Sequence, residues 1–216
     1  MSKSVVIVYD NYFPTEIAED LYQGLGKMPY SWFDKRIKYP QTDSTIQSHH
    51  IMGDGYKPSI KNDLDLSFSF LTTAGHIEEC DCSYCKLNKL FTENPPKECK
   101  GRSILSDFIS IYRPGDFLSQ HKDNESGREW AWTYTLTKEW RPEWGGLLHI
   151  DRGKGRWESY SPVFNRLILM DVSPPRQDGD DDGLIHYVSE ITREAPINRI
   201  TYSGWYKLKL VNTKKP

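Results

Sequence analysis

The sequence predicts a mainly β chain with N-terminal α elements, an α+β class. Two observations carry this. From residue 103 onward, short apolar or aromatic runs recur at regular intervals with turn residues between them, the pattern of an all-β sandwich or barrel. Ahead of that stretch, Ile17, Leu21 and Leu25 recur at i, i+4 and i+8, the spacing of an amphipathic helix.

Taken in order, Val5 to Tyr9 is a short apolar strand, and Asp10-Asn11-Tyr12-Phe13-Pro14 is a turn. Thr15 is the expected N-cap, Glu16 suits the positive end of the helix dipole, and Gly26 marks the helix end. Residues 31–66 show no sustained period, and His49-His50 reads as solvated loop. Leu64 to Phe70 alternates strictly and is expected as a strand. Residues 76–100 are rich in Lys, Glu and Asn, end in Pro95-Pro96, and read as a Cys-bearing insertion packed on the domain. The strands that follow are Ile104–Tyr112, Trp130–Leu136, a strand entered from Gly145-Gly146, Leu167–Met170, Ile185–Ile191 and Arg199–Val211. The expected organisation is one domain over 1–216, with N-terminal support over 1–75, the insertion over 76–100 and the β core over 103–211.

Composition bounds the function. The 216 residues are 37% hydrophobic, polar for a globular chain, but 13% are aromatic and can supply a core. A net charge of −2 and a pI near 6.3 give no general attraction to nucleic acid or to an anionic membrane. Trp130, Trp132, Trp140 and Trp144 are accordingly read as core and rim, not as a base-stacking platform. No apolar run approaches the roughly 20 residues of a membrane span, and the N-terminus lacks the features of a signal peptide. A cytoplasmic location is expected; nothing in the sequence speaks to oligomeric state.

The most informative residues are His121 and Asp123, with His186 sixty-three positions after Asp123. Residues i and i+2 of a strand face the same way, so His121 and Asp123 can grip one ion while Lys122 points off. Two imidazoles and a carboxylate on one face of a metal form the facial triad of non-haem iron(II) oxygenases, which leaves positions open for a cosubstrate and O₂.

Residues 107–207 give, in order, Tyr112-x-Pro114-Gly115, His121-x-Asp123, Leu136-Thr137-Lys138-Glu139-Trp140, Gly145-Gly146-Leu147-Leu148, Ile185-His186-Tyr187-Val188 and Arg199-Ile200-Thr201-Tyr202-Ser203-Gly204-Trp205-Tyr206. This order resembles the Fe(II)- and 2-oxoglutarate-dependent dioxygenases, specifically their prolyl-4-hydroxylase-like branch. The resemblance implies a double-stranded β-helix, or jelly roll, with the metal inside one mouth. It implies His121, Asp123 and His186 as iron ligands and Arg199 as the partner of the distal 2-oxoglutarate carboxylate, a role its planar fork suits. It also implies a cosubstrate pocket lined by Tyr112, Thr135, Leu148, Val188, Thr201 and Trp205. Thr135 stands where some relatives have a tyrosine, and its hydroxyl offers a donor in that place. Twelve residues separate His186 from Arg199, a long interval for the family, and Arg193 is the alternative anchor.

The activity implied is hydroxylation of an amino-acid residue, first proline, in a peptide, a protein or as free amino acid. The cofactors implied are Fe(II), 2-oxoglutarate and O₂, with ascorbate as a candidate reductant. Halogenating relatives carry a small residue in place of the carboxylate, so Asp123 favours hydroxylation.

The four cysteines, Cys80, Cys82, Cys85 and Cys99, fall within twenty residues. In a reducing compartment that clustering favours thiols or a structural zinc over disulfides, with His76 as a further candidate ligand. The acidic run Asp178 to Gly183 reads first as a solvated loop and second as a lid before His186. Two rivals to the enzymatic reading follow. One is a non-enzymatic jelly-roll binding module with a zinc-stabilised, Cys-rich interaction surface. The other is a cupin-type metal enzyme that needs no 2-oxoglutarate.

Overall fold

A computed structural model describes residues 5–25, 36–38, 66–72, 82–123, 127–173 and 184–208. Its elements are β1 (Val6–Tyr9), α1 (Thr15–Leu25), β2 (Arg36–Lys38), β3 (Leu66–Thr72), α2 (Ser83–Glu93), β4 (Arg102–Tyr112), β5 (Phe117–His121), β6 (Trp130–Thr135), β7 (Leu148–Asp151), β8 (Trp157–Tyr160), β9 (Leu167–Asp171), β10 (His186–Val188) and β11 (Arg199–Leu208). All strand pairs are antiparallel. The order β1-β9-β6-β11-β4-β3 forms the larger sheet, and β3-β5-β10-β7-β8 forms the smaller one. The two are continuous through β3. Its Ser69–Thr72 half pairs with β4, and its Leu66–Ser67 end pairs with β5. The expected mainly β fold with N-terminal helices is borne out, and its two sheets make a double-stranded β-helix.

The longest pairing, β4 against β11, sorts the site from the core. Cross-strand neighbours share a face, and alternate residues face opposite ways. Tyr202 and Tyr206 of β11, with Trp132 and Tyr134 of β6 and Ile109 of β4, turn outward from the barrel and are buried under the two helices. There Phe91 of α2 stacks on Trp132 at 5.6 Å between ring centroids and meets Tyr202 edge-on at 5.1 Å. Phe13, Leu21, Tyr84 and Leu87 complete this layer. Gly204 is required where it lies. A Cβ there would come within 2.6 Å of the Trp132 ring and 2.5 Å of the Ser106 carbonyl oxygen. A buried carboxylate ties the layer together. Asp107 Oδ2 accepts hydrogen bonds from the Tyr202 hydroxyl at 2.6 Å, the Tyr84 hydroxyl at 2.9 Å and Asn88 Nδ2 at 3.1 Å.

Several expectations are corrected. The described part of the Cys-bearing segment contributes a helix whose inner face joins the core. Tyr84, Leu87 and Phe91 recur at i, i+3 and i+7 and form the core face of α2. Of the polar residues that suggested an insertion, Lys89 and Glu93 are exposed, while Asn88 turns inward to Asp107. In α1 the buried positions are Ala18 and Leu21, while Ile17 is exposed, so the apolar stripe is displaced by one residue. Strand β8 was not anticipated; Trp157-Glu158-Ser159-Tyr160 is half exposed and lacks an apolar run. Strand β10 is three residues long, shorter than the expected 185–191, and Ile191 instead makes an isolated bridge to Gly145. His49-His50, His76, Cys80 and the acidic run 178–183 lie outside the described residues.

Replacing Phe91 with alanine removes a fully buried ring from between Trp132, Tyr134 and Tyr202. The expected loss is about 3–5 kcal/mol of unfolding free energy, read as a lowered midpoint in chemical denaturation. A change below about 1 kcal/mol would return α2 to the role of a surface insertion.

Candidate metal centre and the cavity beside it

Strands β5 and β10 are neighbours, and their register sets His186 opposite His121. Both imidazoles therefore project to the same side, with ring centroids 4.2 Å apart. Asp123 does not share a strand with His121 as the spacing had suggested, because β5 ends at His121. Side-chain contacts bring its carboxylate round instead. Asp123 Oδ2 stands 3.5 Å from His186 Nε2, and Oδ1 stands 3.9 Å from His121 Nε2. Arg128 Nη1 donates to Oδ1 at 3.2 Å. One candidate ligand atom from each of His121, Asp123 and His186 lies within 4.8 Å of the others. Among the described residues this is the one such group of three or more His, Cys, Asp or Glu side chains.

The backbone sets the tautomers. His121 Nδ1 is 2.9 Å from the Ser119 carbonyl oxygen, and His186 Nδ1 is 3.0 Å from that of Leu184. A carbonyl only accepts, so with neutral rings each Nδ1 carries the proton and each Nε2 turns its lone pair into the site.

Electrostatics differ between the two histidines. Burial, with the neighbouring His186 second, pushes His121 down to about 4, so it is neutral at pH 7. Burial also acts to lower His186, but the hydrogen bond and charge of Asp123 outweigh it and raise His186 above its ordinary value. Burial acts to raise Asp123; the hydrogen bond and charge of His186, then His121 and Arg128, hold it well below the usual carboxylate range. Two imidazole nitrogens and an ionised carboxylate suit a divalent first-row metal with coordination positions left open.

The other candidate residues lie along the inner face of β11 and the strands paired with it. Arg199 pairs with Tyr112, and Thr201 pairs with both Ser110 and Thr135. All five are buried. Arg199 is 3% exposed, its guanidinium lies 5.0 Å from the Tyr112 ring centroid, and burial lowers its pKa. Its Nε is buried without a protein partner, and its Nη1 reaches Thr201 Oγ1 only at 3.5 Å. A buried guanidinium with an unused donor fits an anionic ligand. The alternative anchor, Arg193, is exposed. Gly146 permits the approach of the arginine: its φ is +64°, and a Cβ would stand 3.0 Å from Arg199 Cδ. Leu148 and Val188 are cross-strand partners on β7 and β10 and are both buried. Trp205 lies six residues beyond Arg199 on the same face; its Nε1 is buried without a partner.

The sequence reading missed Arg128 and Ser110. Ser110 Oγ is 2.8 Å from Thr201 Oγ1. Arg128 lies under the Trp205 ring, 3.8 Å from its centroid. Neither leaves a periodic or motif signal: Ser110 arrives through strand pairing, and Arg128 lies outside any strand, five residues after Asp123.

The zinc expectation finds no support. Cys82 and Cys85 flank the start of α2, while Cys99 is fully buried, and these three form no ligand cluster. Burial pushes the Cys99 thiol up to about 12, which keeps it protonated and a poor ligand at neutral pH. Nor does any observation support ascorbate.

Residues 108–207 match the model of the 2OG-Fe(II) oxygenase superfamily. No curated protein matches by sequence. Solved structures share the fold at low identity. A Pseudomonas putida prolyl-4-hydroxylase superposes with a TM-score of 0.61 at 16% identity, covering 96% of this chain and 94% of that one. A Trichoplax adhaerens prolyl hydroxylase, in complex with a hypoxia inducible factor oxygen degradation domain peptide, gives 0.64 at 16%, covering 94% and 83%. A viral collagen prolyl hydroxylase from Paramecium Bursaria Chlorella virus-1, as its 2OG complex, gives 0.54 at 12%, covering 94% and 96%. These findings agree with the resemblance drawn from the motifs: the superfamily model matches over residues 108–207, and the fold is shared with solved prolyl hydroxylases.

The unequal histidines predict a pH signature. Metal binding needs both imidazoles neutral, and of the two only His186 has a raised pKa, so affinity rises with pH through it. Mn(II) titrations between about pH 5 and 6 are expected to show a tenfold gain per pH unit, one proton released per ion. A hundredfold gain per unit there would mean that both rings titrate normally.

Proposed function

Taking a 2OG-Fe(II) oxygenase match over residues 108–207 as premise, we propose that this protein is an Fe(II)- and 2-oxoglutarate-dependent hydroxylase of proline in a peptide or protein. The observation that carries the metal part is the convergence of His121, Asp123 and His186, with both Nδ1 atoms tied to backbone carbonyls and both Nε2 atoms directed inward. The bound metal and cosubstrate supply the oxidising chemistry: O₂ is consumed, 2-oxoglutarate yields succinate and CO₂, and one oxygen atom enters a substrate C–H bond.

The chain's own residues bind, orient and exclude water. His121, Asp123 and His186 hold the metal. Arg199 receives the distal carboxylate of 2-oxoglutarate, with Thr201 and Tyr112 beside it, and its unpartnered Nε supports that role. Thr135, Leu148, Val188 and Trp205 line the remaining wall. Val188 and Leu148 meet in one cross-strand pair, which keeps that side apolar and dry. A peptide or protein substrate is favoured over a free amino acid because a neighbour of this fold is a prolyl hydroxylase in complex with a peptide. No helix among the described residues is long and apolar enough to cross a membrane.

Two variants test the assignment. His121→Ala is expected to abolish metal binding, and with it succinate formation. Arg199→Ala is expected to weaken 2-oxoglutarate at least about tenfold, the loss of one charge-assisted hydrogen bond, with Mn(II) affinity held within about threefold. Calorimetry reads both. Unchanged cosubstrate affinity in Arg199→Ala moves the anchor elsewhere. Substrate class is tested by incubating proline-containing and proline-free peptide pools with Fe(II) and 2-oxoglutarate. The expected product is a proline residue that gains one oxygen atom; oxygen on another residue type would refute the proline assignment.

A further inference from the structure

We propose that Arg128, clamped against Trp205, is the positioning residue that fixes how Asp123 is presented to the metal. The proposal rests on the His121–Asp123–His186 metal reading above. Asp123 lies two residues beyond the end of β5, so strand geometry does not orient it. What holds its carboxylate is side-chain contact. Arg128 Nη1 takes Oδ1 at 3.2 Å, and Oδ2 is left 3.5 Å from His186 Nε2, on the side where the imidazole lone pairs converge. A monodentate carboxylate ligand needs a donor on its other oxygen to stop it rotating, and Arg128 provides one.

Arg128 is itself held. It is only 6% exposed, and its guanidinium carbon lies over the Trp205 ring, 3.8 Å from the centroid. Trp205 is fixed in turn by β11 pairing and by Phe108, 5.7 Å away between ring centroids. The chain Phe108–Trp205–Arg128–Asp123 thus ties the metal ligand to the inner face of the larger sheet. This gives Trp205 a task beyond lining a cosubstrate pocket. It also explains a costly arrangement: a buried cation beside a cation site opposes metal binding by Coulomb repulsion, which is tolerable only if orientation of Asp123 contributes more.

That opposition makes the sign of the test diagnostic. Mn(II) is titrated into metal-free wild-type protein, Arg128→Gln, Arg128→Lys, Trp205→Ala and Trp205→Phe, without 2-oxoglutarate, with apo-protein thermal unfolding recorded to show that each variant is folded. Arg128→Gln is expected to weaken Mn(II) about 10- to 100-fold, the usual cost of losing an outer-shell partner. Arg128→Lys, which keeps the charge and loses the plane, is expected to weaken it as well. Trp205→Ala should weaken Mn(II) in the wild-type background and add nothing in the Arg128→Gln background, and Trp205→Phe should retain most of the affinity. Unchanged or tighter binding in Arg128→Gln overturns the proposal, since removal of the cation alone favours the metal. Full affinity in Trp205→Ala overturns the clamp. If wild-type protein binds no Mn(II), the metal reading itself fails, and that outcome is distinct from a wild type that binds and variants that match it.

Discussion

His186 lies opposite His121 because β10 is held between β5 on one side and β7 on the other. The pairing is short, and strand alternation makes it unforgiving: a slip of one residue would turn His186 outward and bring Tyr187 in. Ladders on both sides, with Val188 against Leu148 and His186 against Ile150, keep the apolar members of β10 and β7 inward and so fix the register. The metal site is therefore a by-product of ordinary sheet packing. Asp123, which no ladder holds, depends on side chains for its place.

The larger sheet divides its labour by the same alternation. One face of β11 gives Tyr202 and Tyr206 to an aromatic layer under α1 and α2. The other gives Arg199, Thr201 and Trp205 to the cavity. A rigid core beneath a polar face is what a site with a buried guanidinium requires, because an unpaired charge in the interior is costly and a mobile wall would let water compensate it instead of a ligand. Asp107 extends the principle to the core itself, where a single carboxylate gathers donors from α2 and β11.

Much of this was legible in the sequence. Strands with apolar runs, such as 104–112 and 167–170, declare themselves by composition, and α1 by its helical spacing, though Thr15, the expected N-cap, lies inside the helix. His121, His186 and Arg199 were legible through motif order, and the burial of Arg199 against the exposure of Arg193 accords with that order. The failures have physical causes. A half-exposed edge strand such as β8 carries no hydrophobic signature. The α2 period was masked by its polar face. Ser110 enters the site through long-range strand pairing and Arg128 through a side-chain contact with Asp123 outside the motif, and a linear pattern encodes neither. For Cys99 the spacing left a thiol and a zinc ligand both open, and it is buried in the core.

The most direct test of the account is an anaerobic titration of 2-oxoglutarate into the Fe(II)-loaded protein, followed by visible absorption. If His121, Asp123 and His186 hold iron and Arg199 takes the distal carboxylate, as proposed, 2-oxoglutarate would chelate the metal. A charge-transfer band should therefore grow and saturate at one cosubstrate per iron. Bound iron with no band at saturating 2-oxoglutarate would contradict the account and point to a cupin-type centre that works without it.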